Sequence, residues 1–440
     1  MKKTGLLWSV CVVLIITLFI VLGQGSSIRA AQTQEEDTGL VSVAKEYKVK
    51  ITVNNKKARV FVDGNPQEQG TVMLAEGIHS LDVSGEGIKS KAISFNVNQD
   101  RELNVKTDPP ESRLTHQNTL AVGSLPKGME FTKDGKYLFI SLLGESAIVM
   151  LDSESEDMQI IKRIEPADKR YKNAGFVEIG ISPLEDAVLA SQMTTASVHR
   201  IPLTGETPFE ITETIPTGGT WSKVITFNSD GSKFAVSNWT SWDVTIFSYP
   251  EMKLLQKISI PGIPRGMVFA DEDKTLYVSN YSNGALHKVD LTKGKVVSTI
   301  SVKRLGALRH LVLDEEKNIM YASDMQMECI NVYDLTAFKL IKQIKVDYNP
   351  NTIAFSPDKK YLYVSCRGPN AKTTYLDRSP RNSYLYIIDC EKQEVIERRE
   401  LGNQPTALAV HPSGKYITVS NFRDKNIEIY QVDEMIEIER

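Results

Sequence analysis

Four cations recur at one phase of a repeated pattern. Lys127, Lys223, Arg265 and Arg309 each stand four residues before a phenylalanine or its counterpart, while Val177, Asn351 and Thr406 hold the same place in the remaining units. If the units are arranged about an axis, these side chains ring the mouth of a central channel, and such a ring focuses field lines and attracts anions. The bland alternative is that long basic side chains cover apolar edges with their stems. A second group falls in loops on the same rim. Trp239, Trp242, Tyr281, Asn283, Phe422 and Arg423 follow second strands, and the insertion GPNAKTTYLDRSPRNS between Arg367 and Tyr384 adds Tyr375, Arg378 and Arg381. Aromatic faces beside arginines suit sugars, peptides or anionic polymers; a loop decorated by chance is the competing reading. Trp221 lies in a connector on that side, where filling a gap would explain it.

Acid–base and metal motifs are weak. His79 belongs to an N-terminal stretch, His116 precedes the repeats, His199 and His287 lie in third strands, and His411 sits in a turn before Pro412. Only His310 approaches the proposed mouth. There is no G-x-S-x-G elbow, no HExxH, no CxxCH and no paired CxxC, so nucleophile-elbow, haem and paired-cysteine zinc chemistry have no sequence support. No catalytic residue, metal or cofactor is assigned.

What must position these residues is a repeat. PRGMVFADEDKTLYVSNYSNGALHKVDLTKGKVVSTI, from Pro264 to Ile300, reads as four short strands joined by three turns rich in Gly, Asp, Asn and Ser. The serine that closes the second strand recurs as Ser141, Ser191, Ser237, Ser279, Ser323, Ser365 and Ser420, at spacings of 50, 46, 42, 44, 42 and 55. That period indicates four-stranded propeller blades. A sheet this small cannot cover both its faces, so it needs neighbours of its own kind.

The units, with YVSN, YVSC and TVSN at their second strands and IAFSPDKKYLY ahead of one of them, resemble the YVTN family of seven-bladed β-propellers. The resemblance covers about three quarters of the chain, is strongest at 264–300 and 349–366, and is worn at 176–215. It implies an all-β fold, with a blade-borne rim as the functional face. Propeller lactonases hold a divalent metal with Glu, Asp and Asn at the channel. By that likeness Glu130, Glu178 and Asp324, with Asn238 or Asn280, could imitate a metal site, although cations crowding the mouth would repel the ion.

Residues 1–25 carry Lys2 and Lys3 ahead of an apolar run from Leu6 to Leu22. This is the pattern of a signal peptide, or of a retained hydrophobic helix that anchors the chain with its amino end inside. Cys11 lies in that run without the small residue of a lipoprotein signal before it. Residues 26–45 are a polar, acidic spacer. Residues 46–107 alternate over short strands and resemble a PEGA-type domain, a small β-sandwich usual beside membrane segments, through Val60-Phe61-Val62-Asp63-Gly64 and Glu76-Gly77-Ile78-His79. Residues 108–113 form a proline-rich link, and 114–440 the seven-bladed propeller. Ring closure follows from the count of strands: the last unit has three, so Leu114 to Val122 supplies its outer strand and removes an exposed edge. The alternative is a native fourth strand from Met435 to Glu439. Cys366 and Cys390 fall on opposite rims, too far apart for a disulfide, and with Cys329 they are expected to be free.

With 52 Lys and Arg against 55 Asp and Glu, the net charge of −3 gives no basic face for nucleic acid. Together these readings describe an exported or membrane-anchored, non-enzymatic binding module at the cell surface. Its expected partner is a surface polymer, peptide or protein, and the membrane as well if Leu6–Leu22 is retained. A metal-dependent lactonase-like hydrolase is the alternative.

Overall fold

The computed structural model describes residues 45–155, 158–302 and 306–433. The apolar run Leu6–Leu22, Cys11, the spacer up to Ala44 and the alternative strand Met435–Glu439 lie outside the described residues. Among the described residues no helix is long and apolar enough to cross a membrane.

Seven strands come first: β1 (Glu46–Val53), β2 (Arg59–Val62), β3 (Asn65–Gln67), β4 (Gly70–Ala75), β5 (Gly77–Ser84), β6 (Lys91–Val97) and β7 (Arg101–Val105). They form two sheets, ordered β4-β1-β7 and β3-β2-β5-β6, with β1 and β7 parallel. Period-two alternation dictates which side is dry: Val49, Ile51 and Val53 turn inward with Ile93, Phe95 and Val97 into one core. The short β3 is the strand that hydrophobic alternation does not announce, because Asn65–Gln67 has no apolar face.

The rest of the described chain is seven four-stranded antiparallel sheets. Blades 1 to 6 span 126–164, 176–216, 222–259, 264–300, 308–345 and 350–400, each with its strands in sequence order. Blade 7 combines three strands from 405–432 with β8 (Leu114–Ala121), which pairs antiparallel to Asn426–Val432 from Val432↔Leu114 to Asn426↔Ala121. The ring is therefore closed by the strand before the first blade, as strand counting requires. Second and third strands are almost wholly buried and fourth strands alternate, as in Lys339–Lys345, so the apolar cores lie between neighbouring blades. Cys329, Cys366 and Cys390 are buried and free.

A buried polar seam joins the N-terminal strands to blade 7. Lys91 Nζ donates to Asp108 and to the His116 carbonyl, both at 3.0 Å, and Lys106 Nζ donates to both Glu428 oxygens at 2.8 Å. Asp108 also accepts from Arg399.

Candidate functional site

The first strand of every blade faces the axis, and together they surround a channel of about 600 Å³. Glu178, Arg309 and His310 lie towards one end, Glu130 follows, and Phe131, Leu313, Phe355 and Pro412 lie towards the other. Two repeat features set this end of the strands. The marker serines tie each blade to the next: Ser141 Oγ donates to the Val177 carbonyl (2.9 Å), Ser191 to Lys223 (2.6 Å), Ser323 to Asn351 (2.7 Å) and Ser365 to Thr406 (2.9 Å). The carbonyl held belongs each time to the residue at the cation position. Glycine then permits close approach. A Cβ on Gly128 would stand 2.9 Å from the Val177 carbonyl and 3.0 Å from the Glu178 Cα, and one on Gly266 would stand 2.9 Å from the Arg309 carbonyl.

The result differs from an open ring. Lys127, Lys223, Arg265 and Arg309 do converge, but they are only 1–7% exposed. A fifth cation, Arg367, joins them at 3%. Glu178 is the one carboxylate paired with this group among the described residues: its Oε1 accepts from Arg309 Nη2 at 2.9 Å and from Arg265 Nη2 at 3.2 Å. Arg265 Nη1, Arg309 Nε and Arg367 Nε are buried without any hydrogen-bond partner. Lys223 Nζ lies 3.8 Å from the Trp239 ring centroid, and Lys127 Nζ 5.8 Å from that of Phe422.

Electrostatics follow from this crowding. Burial first, then the Arg265 charge, pulls Lys223 down to about 6. Burial and the charges of Arg309, Arg367 and Arg265 push Lys127 well below the usual ammonium range. Arg309 and Arg367 are lowered to about 10, chiefly by burial. Burial pulls the Glu178 carboxyl upward, but Arg309, Arg265 and Lys127 more than offset it and hold it below its ordinary value. Glu130 has no such partners; enclosed by the channel wall and beside Glu178, it rises to about 8. His310 is lowered to about 4 by burial and by Arg309. Five cations around one carboxylate leave an excess of positive charge in a low-dielectric site. Such an excess is relieved only by loss of protons from the lysines or by arrival of an anion.

Above the cations lies a second tier. Two residues after each marker serine stand Leu143, Met193, Trp239, Tyr281, Met325, Arg367 and Phe422. The N–H groups of Trp239, Tyr281, Arg367 and Phe422 donate to connector carbonyls of Trp221, Ile263, Asn349 and Gln404 at 2.8–3.1 Å. Sequence periodicity picks out the first tier; Arg367 escapes it because it belongs to this second one, two places past Ser365.

The rim residues divide. Trp239 and Tyr281 pack at 5.2 Å between centroids and Trp239 stacks on Trp221 at 6.3 Å. Trp242 and Tyr375 are about half exposed, at 57% and 47%. Arg378 is engaged by Asp424 at 2.6 Å, and Arg381 holds Asp347 through two nitrogens at 2.6 and 2.9 Å, so both arginines fasten the insertion instead of facing outward unpaired. Arg423 donates its N–H to the Asn403 carbonyl, while its Nε is buried and unpartnered. The Tyr375 carbonyl accepts from Arg367 Nη2 and Gln404 Nε2, both at 3.1 Å, which lays the insertion over the cations.

The acids do not assemble a metal site. Asn238 bonds Ser222, Asp243 and Thr245; Asn280 bonds the Pro261 carbonyl and His287; Asp324 accepts from the Ala307 N–H and Asn331. Each thus closes its own blade. No group of three or more His, Cys, Asp or Glu spaced for a metal occurs among the described residues.

Residues 285–436 match the family described as "Lactonase, 7-bladed beta-propeller". Antigen Lp49 of Leptospira interrogans serogroup Icterohaemorrhagiae serovar copenhageni (strain Fiocruz L1-130) is 34% identical over 364 residues, covering 80% of this chain and 77% of that protein. The 6-phosphogluconolactonase of Formosa agariphila is 26% identical over 249 residues, covering 49% of this chain and 68% of that protein. Among solved structures, Kuenenia stuttgartiensis hydrazine synthase superposes with a TM-score of 0.60 at 16% identity, over 71% of this chain and 97% of that one, a likeness of fold alone. With 34% identity to Antigen Lp49 over an alignment that spans most of both chains, and with seven four-stranded blades closed by its own leading strand, this chain belongs to the family of Antigen Lp49 among the lactonase-type seven-bladed β-propellers.

Proposed function

We propose that the protein is an extracytoplasmic recognition module that takes an anionic group of its ligand onto the propeller axis. One observation carries this reading: five buried basic side chains are gathered about a single carboxylate, which pairs with Arg265 and Arg309, and three of the arginine N–H donors have no acceptor. An oxyanion entering there would accept from Arg265, Arg309 and Arg367 and would hold protons on Lys127 and Lys223. Placement outside the cytoplasm is supported by the basic–apolar pattern of residues 1–25, by the PEGA-like character of 46–107 and by a relative whose name calls it an antigen. Calorimetry of the full-length protein with citrate and with inorganic phosphate tests it. Saturable binding that falls at least tenfold in Arg265→Ser and Arg309→Ser is expected, whereas no binding of either anion at low salt would refute it.

A second reading, hydrolysis of an anionic lactone, is favoured by Glu130. Its carboxyl, held at about 8 beside Glu178 in the channel, would give and take a proton near neutral pH. The relative named 6-phosphogluconolactonase supports testing 6-phosphogluconolactone as substrate. Acid release that exceeds the spontaneous rate and disappears in Glu130→Gln would establish this activity; a rate equal to the spontaneous one would dispose of it.

A further inference from the structure

Three of the protein's four tryptophans stand on two loops of blade 3. The loops are zipped together where Thr220 N–H donates to Ser241 Oγ at 3.0 Å and the Thr220 and Thr240 hydroxyls meet at 2.8 Å. Trp221 is 43% exposed and Trp242 57% exposed. Both have left-handed backbones, with φ of 56° and 55°. That conformation belongs to the repeat: Ala196, Gly284, Glu328 and Lys425 adopt it at the place of Trp242, and Leu125, Asn349 and Gln404 at the place of Trp221. What sets blade 3 apart is the side chains: at both of these positions it carries indoles that turn much of their surface to solvent.

Trp221 leads inward. Trp221 stacks on Trp239, and Trp239 covers the Lys223 ammonium. The Trp239 Nε1 is itself buried and unpartnered, as are Arg265 Nη1 and Arg309 Nε among the cations below. A ligand that matches this path has a flat, C–H-rich face for the indoles, hydroxyls for the free N–H, and a negative group for the cations. Building on the anion-binding reading above, we propose that the ligand is an acidic saccharide, with a sugar ring on Trp221 and Trp242 and its acidic group on Arg265, Arg309 and Arg367. Aromatic stacking on pyranose faces and charge-assisted hydrogen bonds to the acid together account for both tiers.

Full-length protein titrated with tri-galacturonate, with the neutral trisaccharide maltotriose and with citrate separates the two levels. The acidic trisaccharide is expected to bind at least tenfold tighter than either of the others. Trp242→Gly and Trp221→Gly, which relieve the backbone, should erase that advantage while citrate binding stays within twofold. Equal affinity for tri-galacturonate and citrate would overturn the saccharide assignment and leave anion binding standing. Equal affinity for maltotriose and tri-galacturonate would overturn it as well. Failure of both anions to bind would remove the anion site itself.

Discussion

Ser191 Oγ, in the second strand of blade 2, donates a 2.6 Å hydrogen bond to the carbonyl of Lys223, in the first strand of blade 3. The bond crosses between blades and fixes the residue whose ammonium lies under Trp239. Ser191→Ala leaves a buried carbonyl unsatisfied and is expected to cost about 1–3 kcal/mol. It should also weaken citrate binding, because Lys223 loses its fixed backbone. Urea unfolding and calorimetry on the same preparation measure both; unchanged stability would mean that the blades need no such tie.

Glu178 is the counterion of Arg265 and Arg309. Glu178→Gln removes it from a buried pair, a change that typically costs about 3–5 kcal/mol. The site also becomes more positive, so citrate should bind more tightly and recover part of the lost melting temperature. Thermal unfolding with and without citrate reads this, and a variant as stable as the parent without anion would show that the cations are not charged in the fold.

Stability should depend on pH through two opposed kinds of group, Glu130 on one side and the buried lysines on the other, with Lys127, pushed well below the ammonium range, acting in the same sense as Lys223. Lys223, at about 6 in the fold against 10.5 ordinarily, is protonated only in the unfolded chain between those values, so raising the pH across that window favours the fold. Glu130, at about 8 against 4.5, is protonated only in the folded chain between those values, so raising the pH there disfavours the fold. The two oppose each other from about pH 6 to 8. Glu130→Gln leaves the lysines unopposed, and its stability should climb more steeply than that of the parent over this interval in anion-free buffer. His310, at about 4, contributes below 6.5 and equally in both proteins. Parallel stability curves from pH 6 to 8 would contradict the placement of Glu130.

Arg381 and Asp347 hold the insertion by a two-pronged ion pair. Arg381→Ala should speed proteolytic cleavage within residues 368–383 while citrate affinity stays within twofold, as judged by mass-mapped limited digestion and calorimetry. A tenfold loss of affinity with unaltered cleavage would make Arg381 a ligand contact.

The blades were legible because each repeats a period-two pattern and a closing serine, and the closing strand because the last unit is one strand short. The phase of Lys127, Lys223, Arg265 and Arg309 was equally plain. Their burial was not: periodicity gives the place of a side chain on a strand but not what covers it, and the cover is made by loops of variable length. Arg367 went unnoticed because only one of seven units carries a cation two residues past the serine. Glu178 was visible as an acid, yet its partners lie 87 and 131 residues away, a separation no local pattern encodes. Asn238, Asn280 and Asp324 show the reverse. Their residue types suit a metal, but in place they satisfy the turns of their own blades.

The most direct test of an anion site on the axis is anomalous diffraction from crystals of the protein soaked in iodide. A peak within hydrogen-bonding distance of Arg265 Nη1 and Arg309 Nε, stronger than any on the outer surface and displaced by citrate, is the expected result. Iodide found only on the outer surface, with those nitrogens contacted by water alone, would contradict it.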